Sequence, residues 1–521
     1  MLSYGRMKSR WLLVGQTVGV FFLSSFYFTF MQPWGGFVDP DAFYHAKMAM
    51  LMSEHGSLHR FPWLDLTIVD RLFADQHWLF HVLLIPFVRS FGMMHGTQIA
   101  AVVFAALFMA VFFFVLRALQ IPKPMGWTFL LMITPFELIR LSFGKASPLA
   151  LIWFVFGLLA ISATHLSRRM RVSLAFVVGC GFALSHGGWV VLLMTQGLYL
   201  IGEALHERVL VERSWSEIVT RSSWTVVVAT LCGIALGMIL HPNFPTTISF
   251  LWVQVWKIAA LTPFDQVRLG NEWLPADPSD LIQKTAPLLF SVVGVFYGLL
   301  FSRRVSRDLE RMRPAIAWGV PVAALVALCF KSLRFAEYAC PVVILWMASL
   351  ATFVDPARFR RALPSPTRIR TWIFAGAIVA AVLRQQIIIR SALQTHATPF
   401  DAFVSVMHDL RLYAHPNERI MHTSWDMFPQ LFATDDGFRY VSGLDPTFLL
   451  ENDPTRARLY QRLMMNALAT STFEVITKDF DSHFVIVDPM RQYDLDQTFM
   501  RDPRFVLHTS TTHAKLYALV P

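Results

Sequence analysis

Charge is what this chain has least of. Only 15% of its 521 residues are Asp, Glu, Lys or Arg, where a soluble protein carries about a quarter. That shortage excludes an ordinary water-soluble globule. Cysteine is scarce as well. Cys180, Cys232, Cys329 and Cys340 all fall in or at the ends of apolar runs, which argues against a disulfide framework. The sequence also lacks internal repeats and low-complexity segments. The formal net charge of +10 does not point to nucleic acid. The basic residues cluster in short loops between apolar runs, as the positive-inside rule expects.

What is abundant is apolar sequence: 55% of the residues are hydrophobic. Runs of roughly 17 to 25 such residues can each cross a hydrocarbon core of about 30 Å. Arg6, Lys8 and Arg10 place the amino terminus inside. Residues 11–31 form the first expected span. No small-residue cleavage site stands out there, so this span is expected to stay. Residues 32–75 then lie outside. Residues 76–92 are apolar but short, interrupted by His77, His81 and Pro86, and read as an interfacial or re-entrant helix. Further spans are expected near 97–116, 124–140 and 147–164. Two more form a hairpin about Ser185–Trp189, and others follow near 222–240, 285–301, 315–330, 338–354 and 371–390. About eleven crossings put the clusters Arg168/Arg169/Arg171, Arg303/Arg304/Arg307 and Arg358/Arg360/Arg361 on the inner side. Counting 76–92 as a crossing would move those clusters outside.

The chain is therefore read as a polytopic α-helical membrane domain, 1–391, followed by a small extracytoplasmic α/β domain, 392–521. In that tail, short alternating runs predict strands at 419–422, 438–441 and 483–487, with a hairpin over 505–519. Helices are expected near 400–413 and 454–469.

Polar residues collect just outside the spans. Asp39-Pro40-Asp41-Ala42-Phe43-Tyr44-His45 follows the first one. Asp and Pro suit a helix start, yet Asp41 also suits a general base or an oxygen ligand for a hard cation. Arg334 lies outside, against the positive-inside trend, where a guanidinium can grip a phosphate or snorkel toward headgroups. Ser424-Trp425-Asp426 follows the first strand of the tail. It is either a strand-to-helix turn or part of a site facing the membrane domain. His77 and His81 stand at i, i+4 spacing. Trp78 takes the place of the glutamate in a zinc-binding H-E-x-x-H helix, which favours interfacial packing. His186, beside Gly187 and Gly188, and Glu272 are weaker candidates for an outer cavity.

Together these segments resemble the GT-C glycosyltransferases, in particular the catalytic subunit of oligosaccharyltransferase. Asp41-Ala42-Phe43-Tyr44-His45 is similar to that family's D-P-Y-Y-H string. Arg140-Leu141-Ser142-Phe143-Gly144 is similar to its R-S-x-A-G segment. Leu333-Arg334-Phe335-Ala336-Glu337-Tyr338 with Pro341 resembles its R-F-x-x-Y-x-x-P segment, and Ser424-Trp425-Asp426 resembles the start of W-W-D-Y-G. The resemblance implies a catalytic Asp41, with Asp39 beside it. It implies donor-phosphate binding by Arg334, Lys145 and Arg140, and acceptor or loop roles for Trp425, Asp426, Glu272 and His186.

Departures from the family shape the expectation. Lys145-Ala146-Ser147-Pro148 stands where the family has metal-binding carboxylates. The second Trp and the Tyr-Gly of W-W-D-Y-G are missing, which argues against reading a protein sequon. A Lys145 ammonium in place of a metal would stabilise a departing phosphate. The expected activity is inverting transfer from a polyprenyl-phosphate-linked sugar to a hydroxyl on a glycan, lipid or protein, at the outer face of a bacterial inner membrane. No cofactor is expected, with Mg²⁺ or Mn²⁺ as the alternative, and membrane lipid is a further partner. Competing readings are a transporter or flippase of lipid-linked glycans and a non-catalytic membrane scaffold.

Overall fold

A computed structural model describes residues 2–520 apart from 222, 262–266, 271–272, 301–308, 356 and 358–367. Long helices form the body. They are α1 (Leu2–Met31), α4 (Met93–Ala118), α9 (Trp189–Leu205), α13 (Pro278–Leu300), α14 (Leu309–Cys329), α15 (Ala336–Ala351) and α16 (Arg368–His396). Among the described residues these positions supply seven helical stretches long and apolar enough to cross a membrane. Three of the other expected spans are shorter apolar helices: α5 (Pro124–Ile133), α7 (Ser147–Ser162) and α11 (Trp224–Leu240). The expected span at 124–140 is also broken. Pro135 starts a new helix, α6 (Pro135–Leu141), after Thr134 turns extended, because the residue before a proline is pushed out of the helical region. The remaining one, α8 (Arg168–Ser185), carries three arginines in its first turn. Among the described residues, seven helices qualify by length and composition, against the eleven spans expected.

Burial sorts the helices. The apolar stretch of α4 is 72% buried and that of α15 67%, so these lie at the centre, whereas α1 is at 17%, α13 at 11% and α16 at 17%. Phe26, Phe290 and Trp372 on those outer helices point away from the protein. Such side chains suit hydrocarbon, where all backbone groups are satisfied within the helix. Phe108, Phe112 and Phe113 of α4 pack with Phe154 of α7 and Leu345 of α15 in the main core. Where α8 meets α11, small residues let the backbones touch. A Cβ on Gly179 would lie 2.2 Å from the Thr230 carbonyl oxygen, and one on Gly233 2.1 Å from that of Phe176.

Of two further helices, α2 (Asp41–His55) packs on the tail helix Phe428–Thr434, and α3 (Trp78–Phe91) packs on α2 and α4. The tail holds a five-stranded sheet in the order β4-β3-β5-β7-β6. Its strands are β3 (Arg419–His422), β4 (Arg439–Tyr440), β5 (Phe484–Val487), β6 (Phe505–Ser510) and β7 (Lys515–Leu519). β3 runs parallel to β4 and β5, and β5-β7-β6 is antiparallel. All the strands expected from alternation are present, as are helices Val404–Tyr413 and Pro454–Met464.

The tail shares its core with the segment after α1. Tyr44, Phe61 and Phe73 pack with Phe428, Phe432 and Tyr440, and Phe428 and Phe432 stack at 5.3 Å. Asp65 accepts from Arg419 at 2.8 Å and from Arg439 at 2.6 Å. A short β1–β2 pairing, Gly36–Phe37 with Thr398–Pro399, ties the chain after α1 to the start of the tail. This shared core fixes the tail over the amino-terminal end of α2.

Candidate active site

The site is built at the start of α2. Gln98 of α4 donates to the carbonyls of Pro33 (2.8 Å) and Gly36 (2.9 Å), which holds the approach loop. Asp39 then does two things. Its Oδ1 accepts from the Asp41 backbone N–H at 2.9 Å, and its Oδ2 lies 2.8 Å from Lys145 Nζ. Asp41 is the first helical residue, where a carboxylate is favoured by the helix dipole. Its Oδ2 lies 2.9 Å from the same ammonium. Lys145 therefore sits between both carboxylates, with its side chain only 11% exposed. Gly144 permits this approach. A Cβ there would lie 3.1 Å from both Ala42 Cβ and Thr97 Cγ2.

Two cavities meet at Asp41. The larger, about 700 Å³, is lined by Asp39, Asp41, Arg140 and Lys145 on the membrane side and by Trp425 and Asp426 of the tail. Arg140 is held by Glu337, with Nε at 3.0 Å and Nη2 at 2.9 Å from Oε2. Asp426 is held by Arg491 at 2.7 Å. The Trp425 indole donates to the Arg268 carbonyl at 3.1 Å. The smaller cavity, about 110 Å³, is lined by Asp41, His45, His77, Trp273, Arg334 and Asp445, among others. Arg334 lies over the Trp273 ring at 4.9 Å.

Of the expected site residues, Asp39, Asp41, Arg140, Lys145, Trp425 and Asp426 share the large cavity, and Arg334 reaches Asp41 through the small one. His186 is set back: its Nδ1 accepts from the Gly188 N–H at 2.8 Å and its ring packs on His77 at 5.2 Å. Glu272 lies outside the described residues. Sequence reading did not single out Arg268, Arg491 or Glu337 for a role of their own, because their roles arise only from packing. It also passed over Asp75, which anchors a buried chain. Asp75 Oδ2 lies 2.7 Å from His81 Nδ1, and His81 Nε2 lies 2.8 Å from His45 Nδ1. Burial pushes the Asp75 carboxyl up, but His81 and His77 outweigh it, and the net shift is downward. Burial, then His81, holds His77 at about 4. Burial likewise holds His45 well below the usual imidazole range, with His81, His77, Lys145 and His186 adding to the effect.

The residues offer little to a metal. The ammonium of Lys145 already occupies the space between the Asp39 and Asp41 carboxylates. Among the described residues no group of three or more His, Cys, Asp or Glu side chains is disposed to hold an ion.

The fold of this chain is similar to that of solved structures. One is the arabinofuranosyltransferase AftD from mycobacteria, at a TM-score of 0.54 and 13% identity, covering 97% of this chain and 40% of that chain. A mutant form of AftD matches at a TM-score of 0.51 and 12% identity, covering 97% and 41%. The chain thus spans about two fifths of the length of AftD, and at this identity the likeness is one of fold. Neither a family model nor a curated protein matches the chain.

Proposed function

We propose that this integral membrane protein is a glycosyltransferase that moves a sugar from a polyprenyl-phosphate-linked donor to an acceptor hydroxyl, with inversion. The observation that carries this reading is that Asp41 lines both cavities. A base at such a junction can meet an acceptor from one side and a donor from the other. Arg334, stacked on Trp273, is assigned the donor phosphate. Trp425 and Asp426, brought in by the tail, are assigned the acceptor. The fold shared with a membrane arabinofuranosyltransferase supports the reaction class. The acceptor is a glycan, lipid or protein hydroxyl.

In the proposed reaction, Asp41 takes the hydroxyl proton as the acceptor oxygen attacks the anomeric carbon. The bond to the phosphate oxygen breaks, and its electron pair leaves with the phosphate. Lys145, which lines the larger cavity, and Arg334, which lines the smaller one, are assigned to offset that charge, which makes a fixed ammonium the counterpart of a metal ion. Asp39 keeps Lys145 paired and close. The site faces the outer side of the membrane, with the amino terminus inside, as the one-sided basic loops suggest.

The test is mass spectrometry of envelope glycans and lipids from a deletion strain, complemented by wild-type protein or by Asp41→Asn. A sugar lost on deletion, restored by wild type and not by Asp41→Asn, is the expected result. An unchanged glycan profile in the deletion strain would refute the reading. A cysteine placed at Asp436 should be labelled by an impermeant reagent from outside.

A further inference from the structure

We propose that His45, oriented by His81 and Asp75, relays the acceptor's proton away from Asp41. The inference deepens the reading of the protein as a transferase and rests on it. Asp41 and His45 stand at i, i+4 on α2, so they share one helical face, and both line the 110 Å³ cavity.

The hydrogen-bond order sets the state of each ring. Asp75 stays a carboxylate at neutral pH and can only accept, so His81 carries its proton on Nδ1. We take His81 as a single-proton ring, whose Nε2 then accepts from His45 and leaves the His45 proton on Nδ1. That leaves His45 Nε2 as an unprotonated lone pair on a residue that lines the cavity. The logic is that of a carboxylate fixing the tautomer of a base, extended by one imidazole.

Burial above all keeps His45 neutral until it is needed, and several titratable or charged groups face it. On its own helix these are Asp41 and Tyr44. From α3 and the turn before it come His81 and His77, with His186 behind His77. Lys145 acts from the turn before α7, and Arg334 lies across the cavity. Burial first, and then the groups around it, disfavour a charge on the ring. During transfer a phosphate charge develops near Arg334, and the balance reverses. The acceptor proton passes to Asp41, then to His45 Nε2, directly or through one water. The resulting imidazolium is held through His81 to Asp75. One negative charge leaves with the phosphate, and one positive charge appears beside it.

The experiment uses the full-length protein in lipid bilayers and in the complemented deletion strain. With ¹⁵N-histidine labelling, the difference between wild-type and His45→Gln solid-state NMR spectra should show a protonated Nδ1 and a bare Nε2. In Asp75→Asn the amide can donate to His81, so the pattern on His45 should invert. Product formation should fall about 100-fold or more in His45→Gln and in Asp75→Asn, as for loss of a proton-transfer group, with Asp75→Glu restoring part of it. A protonated Nε2 on wild-type His45 would overturn the proposal. So would wild-type product levels in Asp75→Asn while Asp41→Asn is inactive. If Asp41→Asn is itself fully active, the transferase reading falls first and this relay with it, whatever the tautomer.

Discussion

Buried charges gather at both ends of the helical bundle, and the two ends use them differently. At the end away from the tail, Arg171 of α8 donates to the carbonyls of Ala160 (2.8 Å) and Ile161 (2.6 Å) in the last turn of α7. Arg313 of α14 pairs with Glu203 of α9 at 2.9 Å, and Arg213 pairs with Glu207. These cations close helix ends and bind helices to one another, where carbonyls would otherwise lack partners. At the tail end, Lys145, Arg140 and Arg334 are also held by neighbours, but they line open space that meets at Asp41. Charge engaged with backbone holds a fold together. Charge arrayed around a cavity, with an oppositely charged group at its junction, is a place for chemistry.

Several substitutions would sharpen or break that contrast. The largest effect is expected from Asp41→Asn, with product formation down by about 100- to 10,000-fold. The protein should remain folded, because Asp39 still pairs Lys145, and size-exclusion profiles in detergent would check this. Lys145→Ala should lower turnover about 100-fold, the scale of losing one preorganised stabilising donor. Wild-type activity should survive exhaustive chelation. Restoration of chelated enzyme by Mn²⁺ or Mg²⁺ would instead make the two aspartates metal ligands. Arg334→Lys keeps its charge but loses the planar stack on Trp273. It should weaken donor use by about tenfold without altering acceptor preference.

At the opposite end, Arg171→Ala should do the reverse. It should cost about 1–3 kcal/mol of stability by orphaning buried carbonyls, read as a lowered melting temperature, with activity per folded molecule unchanged. A large activity loss there would erase the distinction between the two ends. The last test concerns pH. His77 and His422 are both held at about 4, chiefly by burial. The unfolded chain binds protons that the folded one refuses, so stability should fall as pH drops from about 6.5 toward 4. The slope is at most about 1.4 kcal/mol per pH unit for each imidazole. A melting temperature flat over that range would show that these rings are not buried neutral.

Much of the framework is written locally. Long apolar runs define α1, α4, α13 and α16 wherever they pack, because crossing hydrocarbon depends on length and composition. Alternation was enough for the tail strands, including the 505–519 hairpin. Pro135 was visible in the sequence, yet the interruption it causes between α5 and α6 was not drawn from it. The arginines at the start of α8 were likewise read as loop residues, although the helix includes them.

The chemistry was only half legible. Asp39, Asp41 and Arg334 declare themselves as polar groups at the ends of apolar segments, a local property of the chain. That one ammonium would bridge both aspartates was decided by Gly144 lying against Ala42 and Thr97. That Arg140 would meet Glu337, and that Asp75 would orient His81 and His45, was decided by helix packing. The sequence by itself determined which residues must leave the hydrocarbon and which can ionise. Only the tertiary structure decided which of them share a cavity, because a charge pair across about 3 Å depends on the packing of segments far apart in the chain, and no local rule of composition or period encodes that distance.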